Sequence, residues 1–158
     1  MERETAIPAT PDQVVARCAV FHTRQAARAV TAYFDAALQP SGLRATQLTL
    51  LVAVRQGDGA TISALAAALG MDRTTLARDL RLLEQAGLVA IGVGRDRRAR
   101  VVLLTPRGDQ AMARSLPLWA VAQQRFEERI GTRRWRATVD ELHATTEAAI
   151  AYRRAPGQ

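Results

Sequence analysis

Apolar residues recur along this chain at two spacings, and the changes between them lay out the molecule. Across residues 12–38, Val14, Val15, Cys18, Phe21, Ala26, Val30, Tyr33, Phe34, Ala37 and Leu38 return at helical intervals. They predict a long helix with more apolar surface than one partner would cover. Pro40, Ser41 and Gly42 break it. Leu48, Leu51, Val52 and Val54 then predict a second helix over about 45–55, with Thr46 as a candidate cap, before a turn at Gly57, Asp58 and Gly59. In the next short helix Ile62, Leu65 and Leu69 are expected to form the buried face, Thr61 or Ser63 can cap the start, and Gly70 permits the turn that follows.

The following helix is the most informative. Asp72 can accept from its first backbone N–H groups and suits the positive helix end. Leu76, Leu80 and Leu83 follow at i, i+4 and i+7, a stripe that must face the core. Thr74, Arg78, Arg81 and Gln85 lie opposite, none of them apolar. Gly87 stops the helix, and Leu88 is placed for the hydrophobic contact of a Schellman cap. The pattern then changes: residues 88–93 and 100–104 are rich in β-branched and apolar side chains and predict two strands. The loop between them, 94–100, is too basic to be buried. Thr105 and Pro106 open a helix reaching about residue 130, with a kink expected at Pro117. A last helix, about 133–153, carries Trp135, Val139, Leu142, Ala149 and Ile150 on its apolar side.

The expected fold is mainly α with a small β-hairpin wing, a winged helix-turn-helix between long N- and C-terminal helices. The predicted divisions are a loose arm over 1–11, an N-terminal dimerisation helix over 12–40, a DNA-binding lobe over 41–105 and C-terminal dimerisation helices over 106–155. A small winged lobe does not need three long helices from its two ends. Dimerisation is the economical reason for them, because a second chain would bury the faces a monomer exposes. Two symmetry-related recognition helices would then read an inverted repeat in double-stranded DNA.

Charge sharpens this picture. The 158 residues carry a formal net charge of +7, which favours a polyanionic partner. Arginine-rich composition also occurs in proteins of GC-rich genomes, so location decides: the arginines gather on the outward helix face and the wing tip. The candidate DNA contacts are Ser63, Arg73, Thr74, Thr75, Arg78 and Arg81 in the helix-turn-helix and Arg95, Arg97 and Arg98 in the wing. An arginine near the start of a recognition helix can pair bidentately with guanine O6 and N7, and Arg81 lies far enough along to meet phosphate. Arg95, Arg97, Arg98 and Arg100 cannot all touch DNA, since residues alternate along a hairpin.

Other chemistry is thin. A single cysteine, Cys18, excludes an internal disulfide framework. His22 and His143 are isolated, so no metal site and no cofactor is expected. There is no nucleophile–base arrangement or phosphate-cradling loop, and an enzyme is not expected. The N-terminus lacks the order of a secretory signal, and no apolar run reaches the roughly 20 residues that span a bilayer, so the expected location is the cytoplasm, with no membrane partner.

The helix-turn-helix over 65–89, followed by the run GRDRRARVVLLTPRG over 94–108, resembles the MarR family of bacterial transcription regulators. The Asp96-Arg97-Arg98 tip and the strand ending Leu104-Thr105 are the most specific part of that resemblance. It implies a triangular homodimer, an Asp96 ion pair that shapes the wing, and Arg97 or Arg98 reaching a minor groove, where narrow A·T-rich sequence attracts arginine. It also implies an effector pocket between the dimer helices and the lobe, bordered by Phe21, His22, Tyr33 and Trp119, that takes a small phenolic or lipophilic molecule. One branch of the family senses hydroperoxides through a first-helix cysteine. Aligning residues 24–28 with that branch puts Val20 at the reactive position, and Cys18 out of register. The leading expectation is a homodimeric repressor released by a small molecule. The alternatives are a Cys18 oxidant sensor and a helical interaction module that does not read DNA.

Overall fold

A computed structural model describes residues 10–94 and 99–154. Seven α-helices and one β-hairpin follow in the order α1 (Pro11–Arg17), α2 (Ala19–Leu38), α3 (Ala45–Gly57), α4 (Ile62–Ala68), α5 (Arg73–Gln85), β1 (Val89–Val93), β2 (Arg100–Leu104), α6 (Pro106–Ile130) and α7 (Thr132–Arg154), with a 3-10 turn at Gln39–Ser41. The fold is the expected mainly helical winged helix-turn-helix.

The predicted helix over 12–38 is two helices. Thr10 caps α1, its hydroxyl accepting from the Gln13 N–H at 3.3 Å while the Gln13 side chain accepts from the Thr10 N–H at 2.9 Å. Pro11 occupies the first helical position, so helix begins at the last residue of the expected arm, of which residues 1–9 lie outside the described residues. Cys18, at φ −70° and ψ 115°, is extended and interrupts the ladder between α1 and α2. No residue of α1 is buried, so no packing holds it collinear with α2.

Core burial is concentrated in the lobe. Leu51, Leu76, Leu80 and Val102 are fully buried, Leu83 and Val89 nearly so, and Leu38 of α2 joins them. Each such leucine or valine contributes about 1.5–3 kcal/mol of hydrophobic stabilisation. The strands pair antiparallel from Val89↔Leu104 to Val93↔Arg100, and a bridge from Thr61 to Val101 attaches the segment before α4. Gly108 sits where a Cβ would overlap the Leu88 carbonyl oxygen, so only glycine lets α6 pass this close to the end of the helix-turn-helix.

The start of α3 is capped from outside its own sequence. Asp35 of α2 accepts from the Ala45 N–H at 2.7 Å, the role Thr46 was expected to share. Helix α6 is continuous through Pro117. An aromatic cluster of Tyr33, Phe34, Phe126 and Trp135 joins α2, α6 and α7, with ring centroids 5.1–5.9 Å apart.

Beyond that cluster the terminal helices are sparsely covered. The first half of α2, residues 19–29, is exposed throughout, and α7 has no buried residue up to residue 152. Val20 is 64% exposed, Phe21 42% and Leu142 46%, more apolar surface than an isolated chain leaves to water without a reason. Among the described residues no helix is long and apolar enough to cross a membrane.

Candidate nucleic-acid interface

The helix-turn-helix is built by two successive glycine-terminated caps. At the end of α4 the Met71 N–H donates to the Ala66 carbonyl at 2.9 Å, with Gly70 left-handed at φ 62°. At the end of α5 Leu88 donates to Leu83 at 2.9 Å and Gly87 to Glu84 at 2.8 Å, the paired bonds of a Schellman motif. Thr61, rather than Ser63, caps α4 by accepting from the Ala64 N–H at 3.1 Å, which leaves Ser63 exposed on the first turn. Asp72 caps α5 as expected, its carboxylate accepting from Thr74 at 2.8 Å and Thr75 at 3.1 Å.

These caps set the ends of α5, and burial of its leucine stripe fixes its rotation about the axis. Leu76, Leu80 and Leu83 face inward at 0–1% exposure, so the opposite face must meet solvent or a partner. Arg73, Thr74, Thr75, Arg78, Arg81 and Gln85 are all exposed. Arg78 is 76% exposed, and its 3.7 Å approach to Asp79 is a weak surface pair that a phosphate or base edge could displace. Leu82, at 57% exposure, lies beside Arg78 on the same outward face. Sequence reasoning passed over it, although a leucine lying off the core stripe was a visible signal.

The hairpin is held against the recognition helix by a side chain. Glu84, near the end of α5, accepts from the Ile91 N–H at 3.1 Å and so ties β1 to α5. At the far end of the strands the Gly94 N–H donates to Ala99 at 2.9 Å. Arg95, Asp96, Arg97 and Arg98, to which DNA contacts and an ion pair were assigned, lie outside the described residues. Arg100 is described, exposed on β2 opposite Val93.

Helix α6 is locked to the lobe by Thr105. Its hydroxyl donates to the Gly87 carbonyl at 2.7 Å and accepts from the Gly108 N–H at 3.0 Å, joining the end of α5 to the start of α6. Arg55 of α3 adds a 2.6 Å ion pair to Asp109. Hydrogen bonds through Thr105 thus join the start of α6 to the end of the recognition helix.

A cavity of about 600 Å³ opens between α2, α3 and α6. Val30, Phe34, Leu48 and Val52 form its apolar wall with Leu116 and Trp119, and Thr31, Thr46, Thr49 and Gln123 supply polar groups. Of the aromatic residues expected at an effector pocket, Trp119 lines it. Tyr33 does not; its hydroxyl donates to the Ala122 carbonyl at 2.9 Å, which makes it a tie between α2 and α6. Phe21 and His22 lie farther up α2, in edge-to-face contact at 5.4 Å, with His22 Nε2 3.3 Å from the Ala16 carbonyl oxygen. Phe34 and the threonines of α3 were not foreseen, because the helix crossing that brings them together is a tertiary event. Cys18 is half-buried between α1 and α2.

The winged lobe is shared with known regulators. A model of the MarR family matches residues 41–99. No curated protein sequence matches the chain. Among solved structures, the transcriptional regulator MosR of M. tuberculosis in complex with DNA is 36% identical, with a TM-score of 0.80 over 87% of this chain and 99% of that one. The transcriptional repressor CouR bound to a 23-mer DNA duplex is 23% identical, with a TM-score of 0.73 over 87% of this chain and 99% of its own. PcaV of Streptomyces coelicolor, a transcriptional regulator in complex with its natural ligand, is 19% identical, with a TM-score of 0.76 over 90% and 99%. At these lower identities the last two share the fold. With the identity to MosR, the matched family model and the same winged lobe, the chain belongs to the MarR family of DNA-binding transcription regulators.

Proposed function

We propose that the protein is a homodimeric repressor that occupies an inverted-repeat operator and leaves it when a small molecule fills the cavity between α2, α3 and α6. The observation that carries this reading is the outward face of α5. Thr74, Thr75, Arg78 and Arg81 are exposed on a helix whose other face is fully buried, beside a hairpin tied to it by Glu84. Base contacts fall to Arg78 with Thr74 and Thr75. Phosphate contacts fall to Arg81, Arg73 and Ser63, and on the family resemblance Arg97 or Arg98 of the wing reaches the neighbouring minor groove.

Dimerisation is supported by the exposed apolar residues of α2 and α7, and an inverted repeat follows from two-fold symmetry. Release is supported by position. The cavity touches α6, and α6 is bonded to the end of the recognition helix through Thr105. A ligand that prefers one placement of α6 shifts the spacing of the two lobes by its differential affinity alone. CouR and PcaV, solved with DNA and with a natural ligand respectively, show this fold accommodating both kinds of partner.

Fluorescence anisotropy tests the reading. Purified protein is titrated against DNA from upstream of its own gene and against scrambled DNA at two salt concentrations. Tight, sequence-dependent binding with a steep salt slope is the expected result. Equal weak binding to both DNAs would leave only a basic surface and remove the operator.

A further inference from the structure

We infer that Leu82 of α5 is a specificity-determining residue that packs against the C5-methyl group of a thymine in the major groove, beside the base pair contacted by Arg78. This rests on the operator reading above and deepens it by naming a base feature that the recognition helix selects. Of the large apolar side chains exposed on the lobe, Leu69, Leu82, Val93 and Leu103, Leu82 is the most exposed at 57%. A single exposed leucine is ordinary on a protein surface, so its neighbours decide what it means. Thr75, Arg78 and Leu82 follow at i, i+3 and i+7, one exposed stripe along α5 that turns away from the core leucines.

The helix itself does not call for a leucine at this position. Its buried face is complete with Leu76, Leu80 and Leu83. The hydrophobic contact at its end is taken by Leu83 and Leu88, both buried and joined by the Leu88 N–H to the Leu83 carbonyl at 2.9 Å. Propensity does not select leucine either, because arginine and glutamine, which stand at Arg81 and Gln85, form helix about as well. Glu84 holds the hairpin from the opposite side of α5, so the wing does not cover Leu82. In the major groove guanine offers the O6 and N7 acceptors suited to Arg78, and the thymine C5-methyl is the apolar feature of the base edges. Side chains four residues apart on a helix stand roughly 5–6 Å from each other at Cβ, and successive bases are about 3.4 Å apart. A leucine one turn beyond Arg78 therefore meets a base one or two steps from the guanine. Against a methyl group both partners lose apolar surface to each other; against a polar base edge the leucine would displace water and return no hydrogen bond.

Replacing each operator thymine in turn by deoxyuridine, in both half-sites, removes the methyl group and nothing else, and fluorescence anisotropy of the full-length protein reads the effect. One such replacement is expected to weaken wild-type binding by about fourfold per half-site, the worth of one buried methyl group. Leu82→Ala is expected to bind the thymine and uracil operators equally, and Leu82→Met, which keeps an apolar side chain of similar reach, to retain the difference. A merely structural role for Leu82 would lower affinity for all these DNAs by one factor and leave the thymine response in place, which overturns the inference. If circular dichroism shows Leu82→Ala unfolded, Leu82→Gln makes the same comparison. A wild-type protein indifferent to every thymine methyl overturns the inference without any variant. Equal binding of operator and scrambled DNA by the wild type removes the operator reading and this inference with it. Operator preference that persists with no Leu82-dependent methyl response overturns the inference alone.

Discussion

Arg78 concentrates the residue-scale argument, because its position on α5 is dictated by leucines on the other side of the helix. With Leu76, Leu80 and Leu83 fully inside, Arg78 has no alternative to the outward face. Arg78→Ala is expected to weaken operator binding by about 1–3 kcal/mol and to relax preference at one base pair per half-site. Anisotropy against an operator mutation series checks this; a uniform loss across all sequences would instead make Arg78 a phosphate contact. Asp72→Ala removes the bonds to Thr74 and Thr75 and should lower stability by about 1 kcal/mol, seen as a shifted urea midpoint with an unchanged m-value. At Gly108 the constraint is steric. Gly108→Ala must push α6 away from the Leu88 carbonyl, with an expected cost of about 1–3 kcal/mol by the same measurement.

Among the elements, the wing depends on α5 for its placement. A two-stranded ribbon is marginal alone, and this one is supported by the buried side chains of Val89 and Val102 and by the Glu84 bond to Ile91. Glu84→Ala leaves that core intact and frees the hairpin to move against the recognition helix. Hydrogen exchange at the Ile91 amide should accelerate, while global stability falls by no more than about 1 kcal/mol. Unchanged exchange at Ile91 would show that strand pairing alone fixes the wing. The break at Cys18 belongs to this scale too. Nothing in an apolar pattern distinguishes one long helix from two, because an extended residue between helices interrupts hydrogen bonds and not hydrophobicity.

For the whole molecule, the exposed apolar faces of α2 and α7 support the proposed homodimer, in which a second copy would cover them and supply a second recognition helix. Replacing Val20 and Leu142 together by aspartate should weaken self-association by about 1.5–3 kcal/mol per site while the lobe stays folded. Sedimentation velocity over a dilution series reads the shift to monomer, and circular dichroism confirms the fold. An unchanged sedimentation coefficient would place the interface elsewhere on the terminal helices.

Much was decided locally, and those features were legible in the chain. The Leu76-Leu80-Leu83 stripe, the Asp72 cap and the Gly87-Leu88 stop depend on residues within a turn of one another, so sequence alone determined α5 and the face it offers. The change to β-rich residues after Gly87 likewise determined the hairpin, and Arg73, Arg78 and Arg81 sit where these local rules leave them exposed. Contacts between distant segments were decided only by the tertiary structure. Asp35 caps α3 across ten residues, and Tyr33 spends its hydroxyl on Ala122 across 89. Thr105 ties two helices that no periodicity connects. The cavity is the clearest case: Phe34, Thr46 and Trp119 meet there because three helices cross, and a helix's own pattern records which face is apolar but not which neighbour that face will find.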